Sequence, residues 1–197
     1  MTGSNDLTAL LGSRICHDLI SPLGAISNGL ELLSLSGLPD GPEMRLIAES
    51  VANANARIRF FRVAYGAAAP EQMIAGRELR DMLAALYAGG RIHVDWDITA
   101  DVARREARLA FLALQCLETA MPRGGNVHIT RSPDLWQLTG SAARLNIVPA
   151  LWNTLMQPGA HDFAAAEVHF ALAAGAAREL GRHLRVSNSD TQITISF

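Results

Sequence analysis

The 197-residue chain reads as an α+β protein, an N-terminal helical hairpin followed by an α/β sandwich. Three observations carry that reading. Apolar residues recur at alternating steps of four and three through the first third of the chain, which is a helical period. Beyond residue 90 short stretches switch to a period of two, which is a strand period. Between the patterns lies GAAAPEQ (66–72), a natural boundary. The expected domains are 1–68 for the hairpin and 73–197 for the sandwich.

Composition narrows the class. Apolar residues make up 49% and charged residues 18%, enough for a sizeable core and unlike a disordered polymer. The net charge of −2, a pI near 6.3 and the absence of a Lys/Arg run argue against a nucleic-acid-binding surface. Cys16 and Cys116 are too few for a disulfide framework and lack metal-type spacing. Met1 to Asp6 is short and polar, not a signal peptide. No apolar run reaches the ~18 residues of a membrane span. The expectation is a soluble cytoplasmic protein without membrane contact.

In the first helix Gly12, Cys16, Leu19, Leu23, Ile26, Leu30 and Leu33 form an a/d seam. SLSGLPDGP then breaks the pattern, with Asp40 as an expected N-cap and Pro42 in the first turn of the next helix. That helix carries Met44, Ile47, Val51, Ala54, Ile58, Phe61 and Tyr65 at steps of three and four, and Gly66 stops it. Two such helices make an antiparallel hairpin that cannot bury both sides of its seam. A homodimer forming a four-helix bundle is the economical solution; the second domain covering the seam is the alternative.

The second domain opens with an expected helix from Arg77 to Ala88, which leads through Gly89-Gly90 into a half-buried strand, RIHVDWDI. A long helix is expected from Val102 to Ala120, then strands NVHIT (126–130) and LWQLT (135–139). A short helix near Val148 to Met156, another from Phe163 to Leu180, and HLRVS and TQITISF around an Asn188-Ser189-Asp190 turn complete the order. This order implies helices on one face of a mixed sheet.

The segment SRICHDLISPLGAISNGLELL (13–33) carries the chemistry. With Cys16 and Leu19 on the seam, Arg14, His17, Asp18, Ser21, Gly24, Ala25 and Asn28 form one outward stripe. The stripe is polar and small, whereas a solvated helix face would carry Glu, Lys and Gln. Gly24 costs about 0.5–1 kcal/mol relative to alanine. Pro22 removes the amide that would bond the Asp18 carbonyl, at ~3 kcal/mol or more. Helix stability is thus sacrificed beside an exposed histidine, and Ser21, Gly24 and Ala25 would let another protein approach closely. A neutral imidazole offers a lone pair for nucleophilic attack, and an adjacent carboxylate can accept from the other ring nitrogen. Neighbours i and i+1 do not face each other squarely on a helix, so Asp18 must reach the ring from the side. The bland alternative is a surface histidine at a dimer edge beside a tolerated kink.

His17-Asp18-Leu19-Ile20-Ser21-Pro22-Leu23 resembles the phosphoacceptor box of sensor histidine kinases, in which an acid, a polar residue and proline follow the histidine. CHDLISPLGAI and NGLELL are similar to the signature of the ChpT-type histidine phosphotransferases of alphaproteobacterial phosphorelays, and the resemblance covers nearly the whole chain. It implies a second domain resembling the histidine-kinase ATP-binding domain, with departures. Ile20 stands where kinases carry a basic residue, and Phe111 to Ala120 lacks the asparagines that hold magnesium and nucleotide. Only Gly140 remains of the Asp-x-Gly-x-Gly strand end, and AAAEVHFALAA (164–174) has no glycine before Gly175. A phosphate cradle needs exposed backbone amides, which glycine permits. The resemblance therefore implies a kept scaffold and a lost ATP site.

It further implies that His17 takes a phosphoryl group from the phospho-aspartate of one receiver domain and gives it to another. Asp18 would orient or deprotonate the ring, and Ser21 and Asn28 would meet the phosphoryl group or the partner. Arg14 would offset phosphoryl charge, while Pro22, Gly24 and Ala25 shape the docking surface. The implied partners are a second copy of the chain and the receiver domains of a hybrid histidine kinase and of response regulators. Mg2+ would come from the receiver; the chain is expected to hold no cofactor or metal of its own. A divergent histidine kinase, a receiver phosphatase and a non-catalytic dimeric adaptor are the competing classes.

Other chemistry-bearing residues read as structural. The Cys16 and Cys116 positions suit small core residues. His93 and His128 fall on the polar side of their strands, and His161, His169 and His183 have no metal-ligand spacing. Trp96, Trp136 and Trp152 read as core. Arg104, Arg105 and Arg108 make a small basic patch that reads as a solvated face; the alternative is that it helps hold an acidic receiver.

Overall fold

The computed structural model describes residues 2–35, 41–157 and 161–197, the first seven of them by backbone alone. They form two compact units, Met1–Ala67 and Ala68–Phe197.

The first unit is a hairpin of α1 (Thr2–Leu35) and α2 (Pro42–Tyr65). Helix α1 begins well before the expected seam and runs unbroken through Pro22. The expected cap Asp40 lies outside the described residues; Gly41 occupies the cap position in an extended conformation, with Pro42 in the first turn where its missing N–H is no loss. At the other end the Gly66 N–H donates to the Arg62 carbonyl at 3.2 Å. The helices close on Gly12: a Cβ there would stand 2.8 Å from the Tyr65 carbonyl oxygen. Beside it the Ala67 N–H donates to Ser13 Oγ at 2.9 Å.

The seam splits in two. Cys16 is buried and Leu23 and Leu30 are half-buried, whereas Leu19, Ile26 and Leu33 are 45%, 48% and 40% exposed. On α2, Val51 and Ile58 are buried while Ile47 is exposed.

The second unit runs β1 (Met73–Ile74), α3 (Gly76–Tyr87), β2 (Ile92–Trp96), β3 (Val102–Ala103), α4 (Arg104–Ala120), β4 (Gly125–Arg131), β5 (Trp136–Ser141), α5 (Pro149–Met156), α6 (Val168–Glu179), β6 (Arg185–Asn188) and β7 (Gln192–Ser196). Strands β2-β4-β5-β7-β6 form one sheet, parallel between β2 and β4 and antiparallel elsewhere. The core joins Val127, Ile129, Leu138, Ile193 and Ile195 of the sheet to α4, whose Leu109 to Leu114 run is buried almost completely. Trp96 packs edge-on against Phe111 and Trp136, and Trp136 stacks on Phe197. Trp152 of α5 meets Phe170 of α6 edge-on, with ring centroids 5.3 Å apart. His93, Asp95, His128, Gln137, Thr139 and Thr194 line a shallow depression of about 560 Å³ on the sheet.

Three expectations need correction. Val102 and Ala103 do not open the long helix; they pair antiparallel with Met73 and Ile74 as a two-stranded ribbon, because β-branched Val102 is fully buried there. The helix expected from Phe163 starts at Val168, after a 3₁₀ turn at Ala165–Glu167. Glu167 makes that turn: its N–H bonds the Ala164 carbonyl at 2.9 Å and its carboxylate accepts the Ala164 N–H at 3.1 Å. Arg104 is buried and Arg108 pairs with Glu179 at 3.7 Å, so of the three expected surface arginines only Arg105 is exposed. Among the described residues, no helix is long and apolar enough to cross a membrane.

Candidate functional site

Because α1 is one continuous helix, the residues that turn outward near its middle share one surface. His17 is one of them, its side chain 84% accessible. Asp18 lies beside it with one carboxylate oxygen committed to each neighbour. Arg14 Nε donates to Oδ2 at 2.7 Å, one helical turn away, and His17 Nδ1 stands 3.3 Å from Oδ1. Asp18 does reach the ring from the side, and Arg14 is what it leans on.

The Arg14 hydrogen bond, followed by that of His17, holds the Asp18 carboxyl below the usual carboxylate range. An ionised carboxylate only accepts, so Nδ1 must carry the hydrogen of that contact. The neutral ring then keeps its lone pair on Nε2, turned away from Asp18.

Arg14, His17 and Asp18 are thus brought together. Ser21, Ala25 and Asn28 are exposed on the same helix, but among the described residues no hydrogen bond joins Ser21 or Asn28 to the histidine. A Cβ added to Gly24 would have nothing within 4 Å, so the chain's own packing does not require glycine there. Pro22 leaves the Asp18 carbonyl without its helical N–H partner, one residue from the histidine. Cys16, adjacent to His17 in sequence, is buried, and burial pushes its thiol pKa up. It is a core residue, not a nucleophile paired with His17. The Arg14–Asp18 link was open to prediction from its i,i+4 spacing alone.

The residues that correspond to the kinase nucleotide motifs have structural posts. Leu112, Leu114, Cys116 and Leu117 fill the core. Thr119 donates its hydroxyl to the Gln115 carbonyl at 3.1 Å and faces Nε2 of buried His169 at 3.2 Å. Gly140 lies inside the ladder, paired with Val127 on one side and Ile193 on the other. Gly175 is buried within α6. Backbone amides bound into a ladder or a helix do not cradle phosphate. Among the described residues no group of three or more His, Cys, Asp or Glu side chains is placed to hold a metal ion.

Comparison with known proteins places this architecture. Residues 76–192, more than half of the chain, match the family described as histidine phosphotransferase C-terminal domain. The protein phosphotransferase ChpT of Brucella abortus (strain 2308) is 39% identical over 127 residues, covering 63% of this chain and 60% of that protein. The matched region therefore spans about three fifths of that curated relative. The solved structure of a bacterial phosphotransferase superposes over 100% of this chain and 97% of its own, with a TM-score of 0.69 at 27% identity. Full-length ShkA in complex with AMPPNP shares the fold at 15% identity, with a TM-score of 0.50 over 96% of this chain and 45% of its own. Both the hairpin and the sandwich have counterparts in the bacterial phosphotransferase, and the chain belongs to the ChpT-type histidine phosphotransferase family.

Proposed function

We propose that the chain is a phosphorelay histidine phosphotransferase: His17 accepts a phosphoryl group from a receiver-domain aspartate and passes it to the aspartate of another receiver. The observation that carries this reading is the exposed His17 ring with its Nδ1 turned to an Arg14-anchored carboxylate. In the forward step Nε2 attacks phosphorus, the bond from phosphorus to the aspartyl oxygen breaks, and the carboxylate leaves as an anion. The Nδ1 hydrogen remains in its contact with Asp18, which balances the positive charge that develops on the ring. The reverse step onto a second receiver uses the same atoms.

Phosphoryl transfer is largely positioning and charge neutralisation. Here the receiver supplies Mg2+ from its acidic pocket, and no ATP is used. Gly24 and Ala25 let the receiver come close, while Ser21 and Asn28 offer it polar contacts. Exposed Leu19, Ile26, Leu33 and Ile47 support a second copy of the hairpin closing a four-helix bundle. Receiver partners of this kind support a cytoplasmic location for the protein. The test is transfer from a phosphorylated receiver to the native chain and to His17→Gln. Acid-labile label on the native chain only is the expected result. Receiver binding without label on either form would leave an adaptor; loss of receiver phosphate without label would indicate a phosphatase.

A further inference from the structure

We infer that Arg14 is a positioning residue, clamping the Asp18 carboxylate so that its second oxygen fixes His17 in the tautomer that attacks through Nε2. The inference rests on the reading of His17 as phosphoacceptor. The two contacts of Asp18 are unequal: 2.7 Å to Arg14 and 3.3 Å to His17. The shorter, charge-assisted bond sets where the carboxylate stands, and the histidine contact follows from it. Neighbours i and i+1 diverge on a helix, and a half-exposed aspartate has several rotamers to choose from. Among the described residues Asp18 has side-chain hydrogen bonds with these two alone, so Arg14 is the polar anchor that holds it toward the ring.

Helix stability is a poor reason for the pair. Exposed i,i+4 ion pairs contribute little, and an acid placed after its base is the weaker order. Charge gives a second reason. An incoming phosphoryl group is anionic, and a bare carboxylate beside the nucleophile would repel it. Arg14 cancels that charge while leaving the oxygen an acceptor.

The test compares the native full chain with Arg14→Gln, Arg14→Lys and Asp18→Asn in two measurements. Imidazole 15N NMR reads the neutral tautomer of His17 in the protein alone. Single-turnover transfer from a receiver domain loaded with acetyl phosphate reads the rate, and titration of the same receiver reads its affinity. Arg14→Gln is expected to move His17 toward the Nε2–H form and to slow transfer about tenfold, by analogy with metal-bound histidines, which lose about 10–100-fold with the partner that orients them. Affinity for the unphosphorylated receiver stays unchanged, Arg14→Lys recovers part of both effects, and Asp18→Asn matches or exceeds Arg14→Gln. An unchanged tautomer in Arg14→Gln overturns the inference, whether or not transfer slows. Slower transfer through weakened receiver binding, with the tautomer intact, also overturns it and makes Arg14 a partner contact. Failure of the native chain to take label would sink the phosphoacceptor reading instead, and the NMR comparison would still decide the clamp.

Discussion

His169 and Thr119 meet at 3.2 Å in the interior of the second unit, the imidazole facing a hydroxyl that is itself bonded to the Gln115 carbonyl. Burial lowers the His169 pKa below its ordinary value, and the Glu167 carboxylate opposes the shift only in part. The folded chain therefore keeps this ring neutral where the unfolded chain, titrating near ~6.5, takes up a proton. Stability from this group is complete above the unfolded value and is lost as pH falls toward the folded one. Urea midpoints of the second unit should decline across that window. His169→Leu should flatten the decline; an equally steep curve in the variant would assign it to other groups.

Gly12 and Gly24 lie in the same helix but respond oppositely to alanine. At Gly12 the added carbon collides with the Tyr65 backbone, and separating the helices should cost about 1–3 kcal/mol. At Gly24 it meets nothing, and the helix should gain about 0.5–1 kcal/mol. Thermal unfolding of the two variants measures both signs.

The gain at Gly24 should come with a loss of function. A larger side chain, as in Gly24→Leu, keeps the hairpin folded yet obstructs a docking receiver, so receiver affinity should fall by about tenfold or more. Unaltered affinity in a folded Gly24→Leu variant would remove that face from the docking surface.

Asp18→Asn keeps the shape of the side chain and removes its charge. Transfer should slow by about 10²-fold, the lower end of what one preorganised electrostatic partner contributes. Single-turnover rates at saturating receiver separate this from any change in binding.

The apolar residues left uncovered on the hairpin predict its oligomeric state. Placing glutamate at both Leu19 and Ile26 should leave a monomer by sedimentation, since two charges cannot be buried in a bundle seam. A dimer that survives both substitutions would have to close through another surface.

Much of this was legible from residue spacing. The seven-residue rhythm from Gly12 to Leu33 marks α1, and the alternation of Ile92, Val94 and Trp96 marks β2, because burial on one face imposes a period on the side chains. The ribbon of Met73–Ile74 with Val102–Ala103 left no trace, since two-residue strands have no period to read. Arg104 and Arg108 read as surface because arginine usually is; Arg108 is drawn in by Glu179, a partner far away in sequence. At the candidate site, the stripe from Arg14 to Asn28 follows from helical geometry. How Asp18 divides its two oxygens between Arg14 and His17 is a matter of rotamers, which spacing leaves open.

All three tryptophans belong to the second unit, at Trp96, Trp136 and Trp152, whereas the hairpin contains two long helices and no indole. The units therefore report through different optical channels. Indole fluorescence follows the sandwich alone, and ellipticity at 222 nm carries a large share from the hairpin. Coincident transitions in the two channels would mean that hairpin and sandwich melt as one cooperative body. Separated transitions would mean that each keeps its own stability, and that a fluorescence melt says nothing about the helix bearing His17.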